Sequence, residues 1–333
     1  MELKKLFIII LLSALQINAQ LKYSEMSSMP GSFSRMGFGA RGMGMGNVLS
    51  AVKEGNLVAY YNPALASFQE GNSFQTSYSI LSLDRSLNFI SYTRKFELGN
   101  IETKDGKNQP RSVAGISVGI INAGVSNIDA RDVQGIRTGT LSTSENQFFV
   151  AVSNKFSEKL ALGIAFKFFY YKLYEEFTSF TLGFDIGALY SINENLTISF
   201  FIKDINSKYQ WDSGKIYSQS GRQTKDKFPL LTKIGASYKL SEPGLIAAIE
   251  FENTNASTKY LCAGVEYNIH EDLFLRAGLD RFNINNTDVP VKPSFGFSYS
   301  HLFNSYRIGI DYAFVLEPYS SGDQHIIGIN INF

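Results

Sequence analysis

The chain has 333 residues, 31 of them basic and 30 acidic, for a net charge of +1. A balance this even gives no electrostatic attraction to nucleic acid, and a lone cysteine, Cys262, excludes an internal disulfide. Apolar residues make up 44% of the chain, with 27 Phe, 18 Tyr and 28 Gly, which suits many strands with aromatic faces and tight turns better than a helical protein.

At the N-terminus, Lys4 and Lys5 precede an apolar run from Leu6 to Leu12, and Ile17-Asn18-Ala19 then sets a small residue before Gln20. This order reads as a secretory signal peptide over residues 1–19, cleaved after Ala19. The run is about half the ~20 residues that a spanning helix needs, and no cysteine follows it to take a lipid anchor. No other long apolar run exists, so the expectation is export to the periplasm, outer membrane or medium.

Residues 20–72 do not alternate and contain the run Met36-Gly37-Phe38-Gly39-Ala40-Arg41-Gly42-Met43-Gly44-Met45-Gly46. Gly37, Gly39 and Gly42 match a dinucleotide-binding spacing, but Ser34-Arg35-Met36 before them is no buried strand and no βαβ unit follows. A turn, Tyr60-Tyr61-Asn62-Pro63-Ala64-Leu65, closes the segment.

From Ser73 onward apolar residues occupy every second position for about ten residues and then give way to a turn, which is the period of strands. Fourteen are expected, near 73–82, 86–97, 112–124, 143–155, 160–174, 176–191, 195–206, 228–240, 244–253, 258–269, 273–283, 292–302, 305–316 and 323–333. In the fifth, Leu160, Leu162, Ile164, Phe166, Phe168 and Tyr170 share one face, and Ala161, Gly163, Ala165 and Lys167 the other. A soluble sandwich also alternates. Strand length separates the two, since membrane strands run to ~9–11 residues and soluble ones cluster at ~5–6. Short links at Ser157-Glu158-Lys159, Ile192-Asn193-Glu194, Ser241-Glu242-Pro243, His270-Glu271-Asp272 and Phe303-Asn304 alternate with longer polar ones, as periplasmic turns and outer loops do. Residues 98–111 are long for such a turn. Phe96, Phe156, Tyr190, Tyr238, Tyr267, Tyr299 and Phe333 would form an aromatic girdle at the periplasmic ends. The expected fold is therefore all-β, a fourteen-stranded antiparallel transmembrane barrel over 73–333. Because only about eight strands can fill their own interior with side chains, fourteen leave a lumen, and 20–72 is expected to plug it as a hatch.

Alternation turns Lys167, Lys203, Lys233, Arg276 and Arg307 inward together with Asp185, Glu250, Glu266, Asp280 and Asp311. They read as a salt-bridge lattice holding the hatch, with a polar binding surface as the other reading. Inward Phe149, Phe169, Phe201 and Phe274 would line an apolar path or pack on the hatch. In the loop 207–227, Tyr209, Trp211 and Tyr217 read as exposed anchors or, for Trp211 above all, as a second, outer girdle. Cys262 reads as a packing residue. The three histidines, His270, His301 and His325, make neither HExxH spacing nor a metal cluster, and there is no G-x-S-x-G elbow, so no catalytic site, metal or cofactor is expected.

Gly42-Met43-Gly44, Val48, Ala51, Val52 and Tyr60-Tyr61-Asn62-Pro63-Ala64 resemble the hatch of FadL-type long-chain fatty acid transporters, with Gly42, Gly44, Asn62, Pro63 and Ala64 as its matching residues. Gly183-Phe184-Asp185-Ile186-Gly187-Ala188-Leu189-Tyr190, Leu275-Arg276-Ala277-Gly278-Leu279-Asp280 and Asp311-Tyr312-Ala313-Phe314 are similar to segments of the PorV/PorQ family of such barrels. That resemblance implies a bacterial outer-membrane protein in contact with membrane lipid. It implies either an accessory role in type IX secretion, with secretion components and cargo as partners, or passage of hydrophobic small molecules.

Overall fold

The computed structural model describes residues 24–102, 108–174, 176–217 and 220–333. The expected leader, 1–19, lies outside them. The strands are β1 (Asn72–Ile80), β2 (Arg85–Glu102), β3 (Asn108–Arg131), β4 (Arg137–Lys155), β5 (Leu160–Tyr174), β6 (Phe177–Ser191), β7 (Leu196–Ile205) and β8 (Lys208–Asp212). They continue as β9 (Gln223–Lys227), β10 (Leu231–Leu240), β11 (Leu245–Thr254), β12 (Lys259–His270), β13 (Leu273–Asn283), β14 (Lys292–Phe303), β15 (Tyr306–Val315) and β16 (Gln324–Asn332). Fourteen of them close into an antiparallel barrel; β8 and β9 form a separate two-stranded sheet. Chain neighbours pair, β7 meets β10, and β1 closes on β16 from Ser73↔Asn332 to Ile80↔His325. Closure leaves no free edge strand, so the wall pairs its backbone groups strand to strand and needs little water to do so.

The burial pattern is inverted relative to a soluble protein. On β5 and β6, Leu162, Phe166, Phe180 and Leu182 are exposed, whereas Lys167 is 1% and Asp185 2% exposed. Lipid stabilises such an exterior and water does not. Phe156, Tyr190, Tyr238, Tyr267, Tyr299 and Phe333 are exposed, and Phe96 half-buried, at the end where β1 begins and β16 stops. This is the terminal end of the barrel, and the opposite one is the far end. Ile164→Arg puts a charge on the lipid face near mid-strand and should cost insertion about 2–4 kcal/mol, whereas Ala165→Ser, facing inward, should be mild. Comparing the folded, heat-modifiable fractions of the two variants on gels tests the facing. Equal losses would mean that it is wrong.

Three expected loops are paired instead. Residues 98–102 and 108–111 continue the β2/β3 ladder, with Asn100↔Pro110 and Glu102↔Asn108 in register. The far-end link before Ser144 extends β3 and β4 past a bulge between Val125 and Ile128, as far as Arg131↔Arg137. Loop 207–227 contains the β8/β9 hairpin, and β10 begins at Leu231 because Phe228 is turned inward and buried. The expected outer girdle at Trp211 is corrected by this hairpin. Its buried face carries Tyr209 and Trp211 against Tyr171 and Phe177, with Trp211 stacked on Phe177 at 4.9 Å, so the indole meets other rings and not lipid.

Candidate functional site: the lumen and its hatch

The segment before β1 fills the lumen with little regular structure. Its helix, Gly39–Gly44, lies against β14 and β15, and a 3-10 turn, Pro63–Phe68, lies against β3, β4 and β5. Asn62 starts that turn with φ −168°, its side chain accepts from Ala64 N at 3.0 Å, and Pro63 takes the first position, where its missing N–H costs nothing. Asn62 also donates to Ala188 O on β6 at 3.2 Å, which fixes the turn to the wall.

Glycines on both sides allow the contact. A Cβ on Gly42 would lie 1.9 Å from Tyr61 Oη, and one on Gly44 3.3 Å from Gly296 Cα. On the wall, Gly115, Gly163, Gly187, Gly235, Gly264 and Gly278 sit on six strands, and each would bring a Cβ within 2.5 Å of a hatch atom. At Gly264 and Gly278 the obstruction is backbone, Met45 O and Gly46 N, each at 2.2 Å. Gly46 has φ +64° as well, so no other residue suits its turn against Leu279 and Ala263. Phe38 completes the packing, 4.9 Å from Phe89 and 6.0 Å from Phe149 between ring centroids. Phe169 packs on Phe228 at 4.9 Å, Phe201 is buried, and Phe274 is half-buried near the terminal end.

The inward charges form three groups. Lys167 pairs with Asp185 at 2.6 Å and with Asp204. Lys233 lies 2.7 Å from Glu250 and 2.9 Å from Glu252. Glu266 accepts from both Arg41 of the hatch, at 2.8 and 2.9 Å, and Arg276, at 2.6 Å; Arg276 then reaches Ser298 and, at 3.7 Å, Asp311. Other charges hold the hatch singly. Lys203 donates to Ser34 O at 3.0 Å with its ammonium 3.6 Å above the Tyr60 ring, and Asp280 accepts from Asn47 at 3.1 Å. Arg307 stands apart. It pairs with Asp272 at 2.8 Å near the terminal end, with its side chain 40% exposed, outside the buried groups.

Two members were not legible from alternation. Asp204 follows inward Lys203 and should face lipid, but the register slips between Phe184 and Ile186, Asp204 takes φ +67°, and both side chains turn inward. Arg281 follows Asp280 in the same way with φ +61°, next to the register slip between Leu261 and Ala263, and donates to Arg35 O. Bulges of this kind spare the lipid face a charge. The only sequence signal was a pair of adjacent charged residues inside an apolar strand.

Among the described residues, no group of His, Cys, Asp and Glu could hold a metal. His325 Nδ1 lies 2.8 Å from Tyr312 Oη and His301 3.8 Å from Asp272. Cys262 is buried, with Sγ 3.4 Å from Asp280 Oδ1.

The far end is divided unequally. Over β4 to β6 it is sealed by the β8/β9 hairpin, where Tyr209 donates to Glu145 at 2.6 Å. Burial, and next the Glu145 carboxylate, raise the Tyr209 phenol above its ordinary range, so it remains a donor. On the other side a cleft of about 340 Å³ opens between residues 24–36 and the β12 to β16 wall, lined by Met26, Met36, Leu81, Tyr260, Val289 and Arg281. Met36 and Arg281 also line a separate, smaller void of about 20 Å³ beside Met43 and Val315.

No family model matches the chain, and no curated protein does. Solved structures do. The toluene transporter TodX of Pseudomonas putida aligns with TM-score 0.56 at 14% identity, covering 89% of this chain and 99% of its own. The CymD monoaromatic hydrocarbon channel gives 0.60 at 13%, over 90% and 98%. A FadL homologue from Pseudomonas aeruginosa gives 0.53 at 10%, over 89% and 98%. Likeness at these identities is a likeness of fold, and it extends over nearly the whole chain: the protein has the closed fourteen-strand architecture of TodX, CymD and the FadL homologue.

Proposed function

We propose that this protein is a non-enzymatic channel of the bacterial outer membrane that passes hydrophobic small molecules, entering at the far end, which faces outward. The observation that carries this reading is the half-open mouth. The cleft holds about 340 Å³, within the ~300–1,000 Å³ range of small-molecule sites, its walls are largely apolar, and it shares Met36 and Arg281 with a small void between hatch and barrel. The fold shared with the toluene transporter TodX and the monoaromatic hydrocarbon channel CymD supports the same reading. The type IX accessory role implied by the PorV/PorQ resemblance finds no support in the comparisons, and a cleft of this size suits a small molecule and not a folded cargo.

Expression in a Gram-negative host lacking its own hydrophobic-compound channels should raise uptake of radiolabelled toluene above the empty-vector rate. Met36→Trp, which fills space in the cleft that Met36 lines, should return uptake close to that rate. A correctly inserted barrel that gives no uptake of toluene or of a long-chain fatty acid would refute the proposal. Export through a leader cleaved after Ala19 belongs to the same reading, and mass spectrometry of the mature protein should find Gln20 at its N-terminus.

A further inference from the structure

At the far end β3 and β4 leave the barrel together. β2 follows β3 only to Arg85↔Val125 and β5 follows β4 only to Ser144↔Lys172, so residues 126–131 and 137–143 pair with each other alone. Every residue from 131 to 140 is exposed, and the ribbon stands clear of the barrel. A two-stranded ribbon is marginal in water by itself. Here the tip is fixed all the same, because the Asp132 carboxylate accepts from Gln134 N at 3.0 Å and Ile136 N at 2.8 Å, and Asp129 pairs with Arg131 at 2.5 Å and Arg137 at 3.1 Å. The side chains that this turn holds out are apolar, Val133 at 96% exposed and Ile136 at 65%. A fixed turn that presents apolar side chains beyond the membrane has the form of an anchor for another protein surface.

The outer wall beneath the ribbon departs from the rest of the barrel. Leu87, Phe89, Ile121 and Gln147 are buried toward the lumen, so Asn88, Asn122 and Asn146 face outward. They are direct cross-strand partners and bond in a row, Asn88 Nδ2 donating to Asn122 Oδ1 at 3.1 Å and Asn122 Nδ2 to Asn146 Oδ1 at 2.7 Å. Asn88 lies eight residues from Phe96 and Asn146 ten from Phe156. At ~3.3 Å per residue and ~40° of tilt, the row stands roughly 20–25 Å from the terminal aromatics, at the far rim of an apolar band ~25 Å tall. On the adjoining strands the same row continues as Tyr78 on one side and Tyr170 and Phe180 on the other, all exposed. Over β2 to β4, then, amides interrupt an aromatic rim.

We infer that the outward face of β2 to β4 and the ribbon above it form the contact of a symmetric dimer, with a second copy of this chain as the partner. Two barrels inserted in one orientation are related by a two-fold axis along the membrane normal, which sets each residue opposite others at its own depth. Each feature of this wall suits its own copy. An amide carries both donors and acceptors, so row can bond to row; the apolar tip meets an equal apolar tip; and Asp129 with Arg131 and Arg137 offers both signs of charge. At the terminal end the same wall continues, with 98–102 and 108–112 paired beyond the last partners in β1 and β4. The 24 residues of β3 run roughly 80 Å, and with its two neighbours it offers on the order of 1,000 Å², against about 800 Å² per partner in a stable interface. This dimer does not depend on what the lumen conducts.

Cysteine cross-linking of the full chain in intact membranes tests it. In a Cys262→Ser background, Val133→Cys should give a disulfide-linked band of twice the monomer mass, whereas Thr287→Cys, exposed across the barrel in the connection between β13 and β14, should give little. Single-molecule photobleaching in vesicles should find dimers of the parent protein. Val133→Asp/Ile136→Asp should weaken dimerisation about tenfold or more, and Asn88→Leu/Asn122→Leu/Asn146→Leu should weaken it as well, with both variants still heat-modifiable on gels. Monomers at every protein density would overturn the inference. So would equal cross-linking at positions 133 and 287, which marks random collision, or cross-links from Val133→Cys to another protein alone.

Discussion

Gly264→Val/Gly278→Val should open the barrel to ions. Both side chains would enter space occupied by the hatch backbone, at Met45 O and Gly46 N, which no rotamer change can clear. Overpacking costs about 1–3 kcal/mol at each site when neighbours can shift, and here the neighbour is a turn already held at φ +64°. The outward faces of β12 and β13 are untouched, so insertion should continue. Deleting 29–66, which removes the hatch and keeps all the strands, is the reference. Planar-bilayer conductance of the double variant should rise well above that of the intact protein, toward the deletion's value. If both variants insert normally and neither conducts more than the parent, the segment is not a plug and the occlusion lies elsewhere.

Glu266→Ala should have the largest effect of any single charge removal. Its carboxylate is shared by Arg41 and Arg276, both nearly fully buried, so the change strands two guanidinium groups in the lumen at once. Breaking a buried pair by removing one partner costs about 3–5 kcal/mol. Because Arg41 belongs to the hatch, the loss should appear both as a lower temperature of the heat-induced gel shift and as conductance noise from a loosened hatch. Arg307→Ala makes the contrast. Its pair with Asp272 is half exposed at the rim and should be worth no more than about 1 kcal/mol. Equal losses in the two variants would mean that the lattice does not fasten the hatch.

The barrel was legible because alternation is a local property. Each strand residue meets lipid or lumen according to its parity, and the requirement repeats every second position whatever the strand pairs with. Strand number, closure, the terminal aromatics and the inward direction of Lys167, Asp185 and Arg276 follow from that rule. The segment before β1 was legible only as a glycine-rich, non-alternating stretch whose length suits a lumen that wall side chains cannot fill.

What alternation could not reveal depends on register between distant segments. Gly264 and Gly278 look like any inward glycine until the hatch turn at Met45 and Gly46 is laid across them. Asp204 and Arg281 have the parity of lipid-facing residues, and only the slip of β7 against β6 and the bulge in β13 turn them into the lumen. Trp211 stands in a polar loop, and its burial follows from the hairpin folding over the aromatics of β5 and β6. The sequence by itself determined which solvent each strand face meets, since that choice is made residue by residue by transfer free energy. The tertiary structure alone decided which charges pair, which glycines carry the hatch and which side of the mouth stays open, because those depend on atoms brought together from segments up to hundreds of residues apart.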